Sequence, residues 1–228
     1  MRNRLFSCLA GCAVLAILAG CGGSSSGSGI ASEAPQKILS DSLAAANALK
    51  SVHAAGAINS GSQHIAIDMQ LVGGVGGRGK ISVNGLSFQL VGLNHYAYMQ
   101  AAPAVWRQAG APAAAAQRLK GKWLRTPATG QFASIARLTD IHQLFGQLLT
   151  QRGQKVNRGG VSTVAGRRVV ALDGGSGGTL YVASTGKPYP VELFKRGSDG
   201  GQVDFNRFNQ AVKLSPPTNT IDLPRSGG

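Results

Sequence analysis

Two serine-containing stretches have the spacing of a hydrolase nucleophile. Residues 23–27 read GSSSG and residues 174–178 read GGSGG, so both match Gly-x-Ser-x-Gly. A nucleophile elbow needs a strand-to-helix turn that presents the serine beside a histidine. The first stretch lies in a Gly/Ser-rich linker and the second lies between two expected strands. Neither context fits, and we interpret both as products of a glycine-rich composition.

A glycine-rich stretch at residues 74–80 (GVGGRGK) satisfies G-x-G-x-x-G and approaches the P-loop pattern. A phosphate loop works because its backbone N–H groups point from the start of a helix toward the phosphate. Here Ile81 stands where Ser or Thr is required, and the following residues alternate like a strand. The sequence therefore favours a flexible loop between strands over nucleotide binding.

The remaining chemistry-bearing residues are scattered. His64 and Asp68 fall on one face of an expected strand, but four residues of strand separate them too far for direct contact. His53, His95 and His142 have no carboxylate at a suggestive spacing, and the nine acidic residues show no pair. These patterns predict a solvated polar face, no metal site, no cofactor and no enzymatic activity.

The N-terminus carries a more specific signal. Arg2 and Arg4 precede an apolar segment at 5–18, which is too short for a comfortable membrane span and is typical of an export signal. It ends in Leu-Ala-Gly-Cys at 18–21, which resembles the bacterial lipobox. We therefore expect residues 1–20 to be a lipoprotein signal peptide and residue Cys21 to be acylated. Cys8 and Cys12 would leave with the signal, so no free thiol would remain for catalysis or metal binding.

This leader predicts an extracytoplasmic protein, held by lipid on the outer face of the cell membrane or on the periplasmic side of the envelope. Residues 21–33 form a Gly/Ser-rich tether.

The formal net charge of +14 favours anionic partners, namely lipid headgroups or cell-wall polymers. A general enrichment of Arg, Ala and Gly in the proteins of the source organism would explain the positive net charge equally well. Nucleic acid is not expected as a partner outside the cell. Two basic groups stand out: Lys120, Lys122 and Arg125 around Trp123, and Arg152, Lys155, Arg158, Arg167 and Arg168.

Hydrophobic periodicity predicts the secondary structure. Residues 34–51 have helical spacing, with Pro35 in the first turn. Period-two alternation then predicts eleven strands, at 54–59, 65–71, 79–83, 86–93, 96–100, 122–125, 160–164, 167–173, 179–183, 190–195 and 202–208. Asn84-Gly85 between two of them is a strong hairpin signal. Residues 101–121 are Ala-rich and predict a loop or weak helix, and 132–151 predict a helix broken near Thr139-Asp140.

These elements predict an α+β fold: a curved antiparallel half-barrel of 10–11 strands, with helices packed on its concave side. We expect a single domain at 34–215 and an extended tail at 216–228, which contains Pro216, Pro217 and Pro224.

The order of short motifs resembles the LolA-like half-barrels, and among them the actinobacterial LppX/LprG-type lipoproteins. The resemblance runs through nearly the whole chain after the signal, although each motif alone is unspecific. It is carried by the lipobox, SV at 51–52, KWL at 122–124, VAGR at 164–167, VVAL at 169–172, GTLYV at 178–182 and GKPYPV at 186–191. It implies a cavity between sheet and helices that holds the acyl chains of a lipid, glycolipid or lipoprotein. The Ala-rich 101–117 stretch departs from many members of that family.

The expected function is therefore a membrane-anchored, non-catalytic lipid-binding or lipid-carrier lipoprotein, with residues 132–149 as a lid. The same inward-facing residues would equally line an ordinary packed core. The alternative function is a sensor or scaffold that binds a protein partner or an anionic envelope polymer. The candidate cavity residues are Ile65, Ile67, Met69, Leu71, Ile81, Val83, Phe88, Leu90, Leu144 and Leu148.

Overall fold

The computed structural model describes residues 29–130, 133, 137–149, 155–175 and 177–223, with the side chains of 147–149 excepted. The predicted signal peptide, Cys21 and most of the predicted tether lie outside this part of the chain. The helices are α1 (Pro35–Asn47), α2 (Pro103–Gln108), α3 (Ala113–Arg118) and α4 (Ile141–Leu149), after a 3-10 turn at Ile30–Ser32. The strands are β1 (Ser51–Ser60), β2 (Gln63–Val72), β3 (Gly76–Val83), β4 (Leu86–Leu93), β5 (Tyr96–Ala101), β6 (Trp123–Pro127), β7 (Val156–Val164), β8 (Arg167–Gly174), β9 (Gly178–Ala183), β10 (Pro190–Lys195), β11 (Gly201–Asn206) and β12 (Thr220–Asp222).

All twelve strands form one open, curved sheet in the order β12-β6-β5-β4-β3-β2-β1-β11-β10-β9-β8-β7. Each of the eleven predicted strands is present, which confirms the α+β half-barrel. The twelfth, β12, pairs in parallel with β6, so the sheet is mixed rather than purely antiparallel.

The β3–β4 hairpin shows how local sequence sets the register. Asn84 and Gly85 both have positive φ, 50° and 82°, as a two-residue type I′ turn requires. The turn places Val83 opposite Leu86 and Ile81 opposite Phe88. The apolar residues of both strands therefore point to one face of the sheet.

Helices α1 and α4 cover part of that face. Pro35 occupies the first turn of α1, and the buried residues Ile38, Ser42 and Ala46 recur every four positions along one side of this helix. The helix ends at Asn47, earlier than the predicted 51, because Ser51 already pairs within β1. From α4, the Phe145 ring packs against Phe205 of β11 with centroids 4.9 Å apart. The two helices and the sheet share one apolar core.

The segments between β5 and β7 are partly helical. The Ala-rich stretch predicted as a loop or weak helix forms the two short helices α2 and α3. The predicted break near residues 139–140 is confirmed, since α4 begins at Ile141 and the Asp140 carboxylate accepts the Gln143 N–H at 2.9 Å. The rest of the predicted 132–151 helix, at 132, 134–136 and 150–151, lies outside the described residues.

After β11 the chain crosses the convex face, the sheet face opposite the helices. The segment 207–219 connects β11, near the middle of the sheet, to the edge strand β12. Leu214 of this segment packs onto Val91, Leu93 and Tyr98 on the convex face. Arg125 of β6 binds Asp222 of β12 through both carboxylate oxygens, with Nη2–Oδ2 at 2.8 Å. Part of the tail predicted to be extended is thus a strand of the sheet.

Candidate functional site

An apolar row crosses the concave face, which carries the helices, at the end of four adjacent strands. Ile58, Ile65, Val83 and Leu86 lie directly opposite one another on β1, β2, β3 and β4. We call these four residues the open row. Ile58 is 38% exposed and the other three are only half-buried. Large apolar side chains in such an arrangement are typical of a ligand-binding or interaction surface.

Burial increases along the strands away from the open row. In the next row, Ile67 and Phe88 are half-buried and flank the buried Ile81. One step further, Met69 and Leu90 are nearly inaccessible, at 2% and 0%. The last row, which begins at Leu71 and includes Gly77, Gly92 and Ala97, is covered. The concave face is therefore a packed core at one end and an open apolar surface at the other.

The candidate cavity residues divide along this gradient. Met69, Leu71, Ile81 and Leu90 belong to the helix–sheet core, together with Leu144 of α4. The half-buried members, at the open end of the same face, are Ile65, Ile67, Val83 and Phe88. Leu148 lies in α4, but its side chain is outside the part that the structure describes. Nine of the ten are thus brought into one continuous apolar surface.

Trp106 adds a polar group to this apolar face. It lies on α2, which begins two residues after Ala101, the residue opposite Phe88. Its ring packs against the main core, and its indole Nε1–H is buried without an acceptor among the described residues. A buried donor without a partner costs about 1–3 kcal/mol. Nothing in the sequence marked Trp106, because its position depends on how α2 folds back onto β4 and β5.

A large cavity lies on the convex face. It is an open groove of about 1190 Å³ between the sheet and residues 215–218 of the crossing segment. Outward-facing residues of β1–β5 line its floor, and Trp123 lines its edge. The sequence did not indicate this groove, because it exists only through the path that the chain takes after β11.

The fold of this chain is similar to that of solved protein structures. LprF from Mycobacterium bovis superposes with a TM-score of 0.57 at 16% identity, covering 80% of this chain and 96% of LprF. The chain has the half-barrel fold of LprF. The Mycobacterium tuberculosis lipoprotein LppX gives a TM-score of 0.49 at 14% identity, over 80% of this chain and 100% of LppX. MucB, solved in complex with MucA(peri), gives a TM-score of 0.40 at 12% identity, covering 81% of this chain and 59% of MucB. No protein-family model and no curated protein sequence matches the chain.

The resemblance read from the sequence motifs is thereby confirmed for the fold. In this LprF-like half-barrel, the glycine-rich 74–80 stretch is not the flexible loop that the sequence predicted, because residues 76–80 belong to β3 and the turn before it ends at residue 75. Its glycines have a structural explanation. Gly77 lies opposite Gly92, and Thr139 packs over both, with the Thr139 carbonyl oxygen 3.1 Å from where a Gly77 Cβ would stand. Small residues are needed here so that the chain before α4 can approach the sheet. The GGSGG stretch lies between β8 and β9, and its Ser176 is outside the described residues.

The histidines are not all solvated as predicted. His53 is only 15% exposed, and its Nε2 lies 2.8 Å from the Asp68 carboxylate, while its Nδ1 lies 3.0 Å from the Asn206 amide oxygen. The prediction of unpaired histidines was wrong here, because Asp68 on β2 is a diagonal neighbour of His53 on β1. His64 contacts Asn59 instead, at 2.8 Å. The described residues contain no group of three metal-ligating side chains, and none of their helices is long and apolar enough to cross a membrane.

The predicted basic groups are dispersed. The Arg125 guanidinium donates to Asp222 and lowers the pKa of that carboxyl, so part of the first group is neutralised. In the second group, Arg158 donates to the Ala31 carbonyl at 2.9 Å, and Arg167 lies over the Phe208 ring at 5.2 Å. Arg152 lies outside the described residues. The cations that line the convex groove are different ones, Arg78, Lys80 and Arg207.

Proposed function

We propose that this protein is a non-catalytic lipoprotein that binds acyl chains of a lipid or glycolipid on the concave face of its half-barrel. The observation that carries the proposal is the open row: four large apolar side chains, directly opposite one another across four strands, that the helices leave partly in contact with solvent. The half-barrel fold, which the chain shares with LprF, is also the fold for which the sequence resemblance implies an acyl-chain cavity.

The dimensions of the open row suit an acyl chain. Four neighbouring strands span about 14 Å from the first to the last, at about 4.8 Å per strand. An acyl chain lying along the row would gain about 0.8 kcal/mol of binding free energy for each CH₂ removed from water. Phe88 and Ile67 in the next row extend this surface toward the core. Binding through such contacts selects for apolar length and only weakly for the headgroup.

Trp106 supplies the polar contact in this proposal. Its buried Nε1–H has no acceptor among the described residues. Helix α2 lies beside β4 and β5, close to Phe88 and Ala101, which are the last two residues of the row next to the open row. An ester or amide carbonyl at the head of an acyl chain would accept this hydrogen bond. The gain is large because a donor that is otherwise unsatisfied becomes paired. Trp106 would therefore orient the lipid with its head toward α2.

Cys21 provides the membrane attachment in this proposal. The lipobox at 18–21 and the tether that follows would place the half-barrel at the membrane surface of the cell envelope, outside the cytoplasm. Attachment by two or more acyl chains is stable, whereas a single chain binds only marginally. Labelling of cells with an alkyne analogue of palmitate tests this point: Cys21→Ser should abolish labelling, and Cys12→Ser should retain it. Equal labelling of both variants would contradict the assignment.

Filling the open row tests the binding surface. Val83→Trp places a bulky ring within the row, whereas Ser82→Trp places it on the opposite face of the same strand. The first variant should take up at least tenfold less of a phospholipid with a fluorescent acyl chain, offered in vesicles. The second variant should bind normally. Thermal unfolding of both proteins reports whether they fold, and unchanged uptake by a folded Val83→Trp protein would refute the site.

A further inference from the structure

The convex groove and the proposed acyl-chain surface lie on opposite faces of the sheet, and Phe88 of β4 borders both. The floor of the groove includes a continuous row of polar side chains on four adjacent strands: Asp68, Lys80, Gln89 and Gln100, each directly opposite the next. This row spans about 14 Å. The crossing segment forms one wall through residues 215–218, and Trp123 lies at the edge.

The groove is held in shape by contacts at both ends of the crossing segment. Near its start, the Lys50 N–H donates to the Asn209 side chain at 2.8 Å, and the Asn209 N–H donates to the Ser51 carbonyl at 2.9 Å. At its end, the Trp123 N–H donates to the Asn219 carbonyl at 3.0 Å. Leu214 anchors the middle on Val91. These contacts therefore fix the crossing segment, which forms the wall of the groove, to the sheet.

The cations in the groove are available to a ligand. Arg78, Lys80 and Arg207 line it, and among the lysines and arginines in the described part of the chain only Lys37 and Arg125 form ion pairs with carboxylates. Asp68 in the same groove contacts His53 instead. Arg78 is positioned by Gln70, whose Oε1 accepts from its Nη2 at 3.1 Å. Two hydrogen bonds to a neutral amide hold the guanidinium without neutralising it. The groove therefore has a net positive charge despite Asp68.

The other polar side chains of the lining, which stand beside apolar residues such as Val91 and Pro216, are suited to hydroxyl groups. Gln89 and Gln100 offer amide donors and acceptors, Ser87 a hydroxyl, and Asp68 an acceptor. Trp123 provides an aromatic surface at the edge. A ligand with many hydroxyls and at least one negative charge would satisfy both sets of groups. An acyl chain would leave these polar side chains desolvated and unpaired, at a cost.

We propose that the convex groove binds an acidic saccharide, one that carries carboxylate or phosphate groups on its sugar units. Arg78 and Lys80 contact the acidic group, the amide row contacts the hydroxyls, and Trp123 packs against a sugar ring. The same molecule can then hold an acyl chain on one face and an acidic glycan on the other.

The test uses the full chain in a neutral detergent, with a hexamer of glucuronic acid as the probe and calorimetry as the measurement. The double variant Arg78→Ala/Lys80→Ala should weaken binding at least tenfold. The control variant Arg168→Ala/Lys187→Ala removes the same charge from exposed positions outside the groove and should bind normally. A neutral glucose hexamer should not displace the probe.

Several results would overturn the proposal. Equal weakening in both double variants would mean attraction by net charge alone. Failure of a folded protein to bind the acidic hexamer would mean that the groove is not a saccharide site. Displacement of the hexamer by inorganic phosphate at equal concentration would mean that the sugar units contribute nothing. Tighter binding of an acidic peptide of the same charge would also count against a saccharide site.

Discussion

Thr139 lies directly over Gly92: a Cβ on that glycine would stand 2.6 Å from the Cβ of Thr139 and 2.9 Å from its Cγ2. This contact holds the start of α4 against the middle of the sheet, at the covered end of the concave face. It explains why a glycine stands within β4 although glycine weakens a strand.

The first prediction concerns this contact. Gly92→Ala should destabilise the protein by about 1–3 kcal/mol, because Thr139 and the sheet cannot both keep their positions. Urea denaturation measures the change. Gly160→Ala on β7 is the control, since a Cβ there meets nothing within 4 Å. If the two variants are equally stable, Thr139 does not pack as described.

The pairing of Phe145 with Phe205 provides the second prediction. Both rings are essentially inaccessible, at 0% and 1%, and they join α4 to β11. Phe145→Ala should lower the free energy of unfolding by about 3–5 kcal/mol through the cavity that it leaves. Gln143→Ala, an exposed change on the same helix, should alter it by less than about 0.5 kcal/mol. A small loss from the Phe145 change would show that α4 contributes little to the core.

The sequence predicted the elements that depend on local patterns and missed those that depend on distant partners. The 86–93 strand has the predicted bounds, because Asn84-Gly85 and alternation determine it locally. β12 was missed, because Thr220–Asp222 is short and pairs with β6 nearly a hundred residues earlier in the chain. His53 and Asp68 were not paired from the sequence, since a diagonal contact becomes visible only with the β1–β2 register.

The candidate site shows the same division. Alternation along β2, β3 and β4 identified which residues face inward, and the structure places them on one face. It could not say which of them the helices cover, because that depends on where α1 and α4 pack. The convex groove was missed entirely, since no local pattern reveals that residues 215–218 return to the sheet.

A third prediction follows from two carboxylates on neighbouring strands. Glu192 lies directly opposite Asp204, and Gln202 donates to both, at 3.1 and 2.8 Å. Partial burial and the nearby Asp204 charge raise the pKa of Glu192. Because folding raises the pKa of this carboxyl, its ionised form is less stable in the folded protein than in the unfolded chain. The folded state is therefore destabilised at a pH above the raised pKa, and this cost disappears as the pH falls and the carboxyl becomes protonated.

Glu192→Gln should therefore stabilise the protein at pH 7 by a few tenths of a kcal/mol, since the pair is largely solvated. The gain should shrink as the pH falls through the pKa of Glu192, where the native side chain becomes protonated. Thermal unfolding at pH 7 and at pH 4 measures the difference. A gain that is independent of pH would show that repulsion from Asp204 is not its source.

The fourth prediction separates the polar and apolar parts of lipid binding. Trp106→Phe removes the unpaired indole N–H but keeps an aromatic ring in the core, so stability should be unchanged or slightly higher. Affinity for an acyl ester should fall about tenfold, while affinity for a hydrocarbon of equal length should not change. Trp123→Phe on the convex face is the matched control and should leave both affinities unaltered. An equal loss for ester and hydrocarbon would mean that Trp106 acts only through packing.

Lipid binding on the concave face is tested best by identifying the molecules that the purified protein carries. The chain from Gly22 onward, exported by a lipid-rich host and purified without detergent, is extracted with organic solvent and analysed by mass spectrometry beside a control protein with the same tag. We expect about one lipid per chain, strongly reduced in Val83→Trp and retained in Ser82→Trp. A folded protein whose extract is free of lipid, and which stays empty after incubation with envelope lipids, would contradict lipid binding on the concave face.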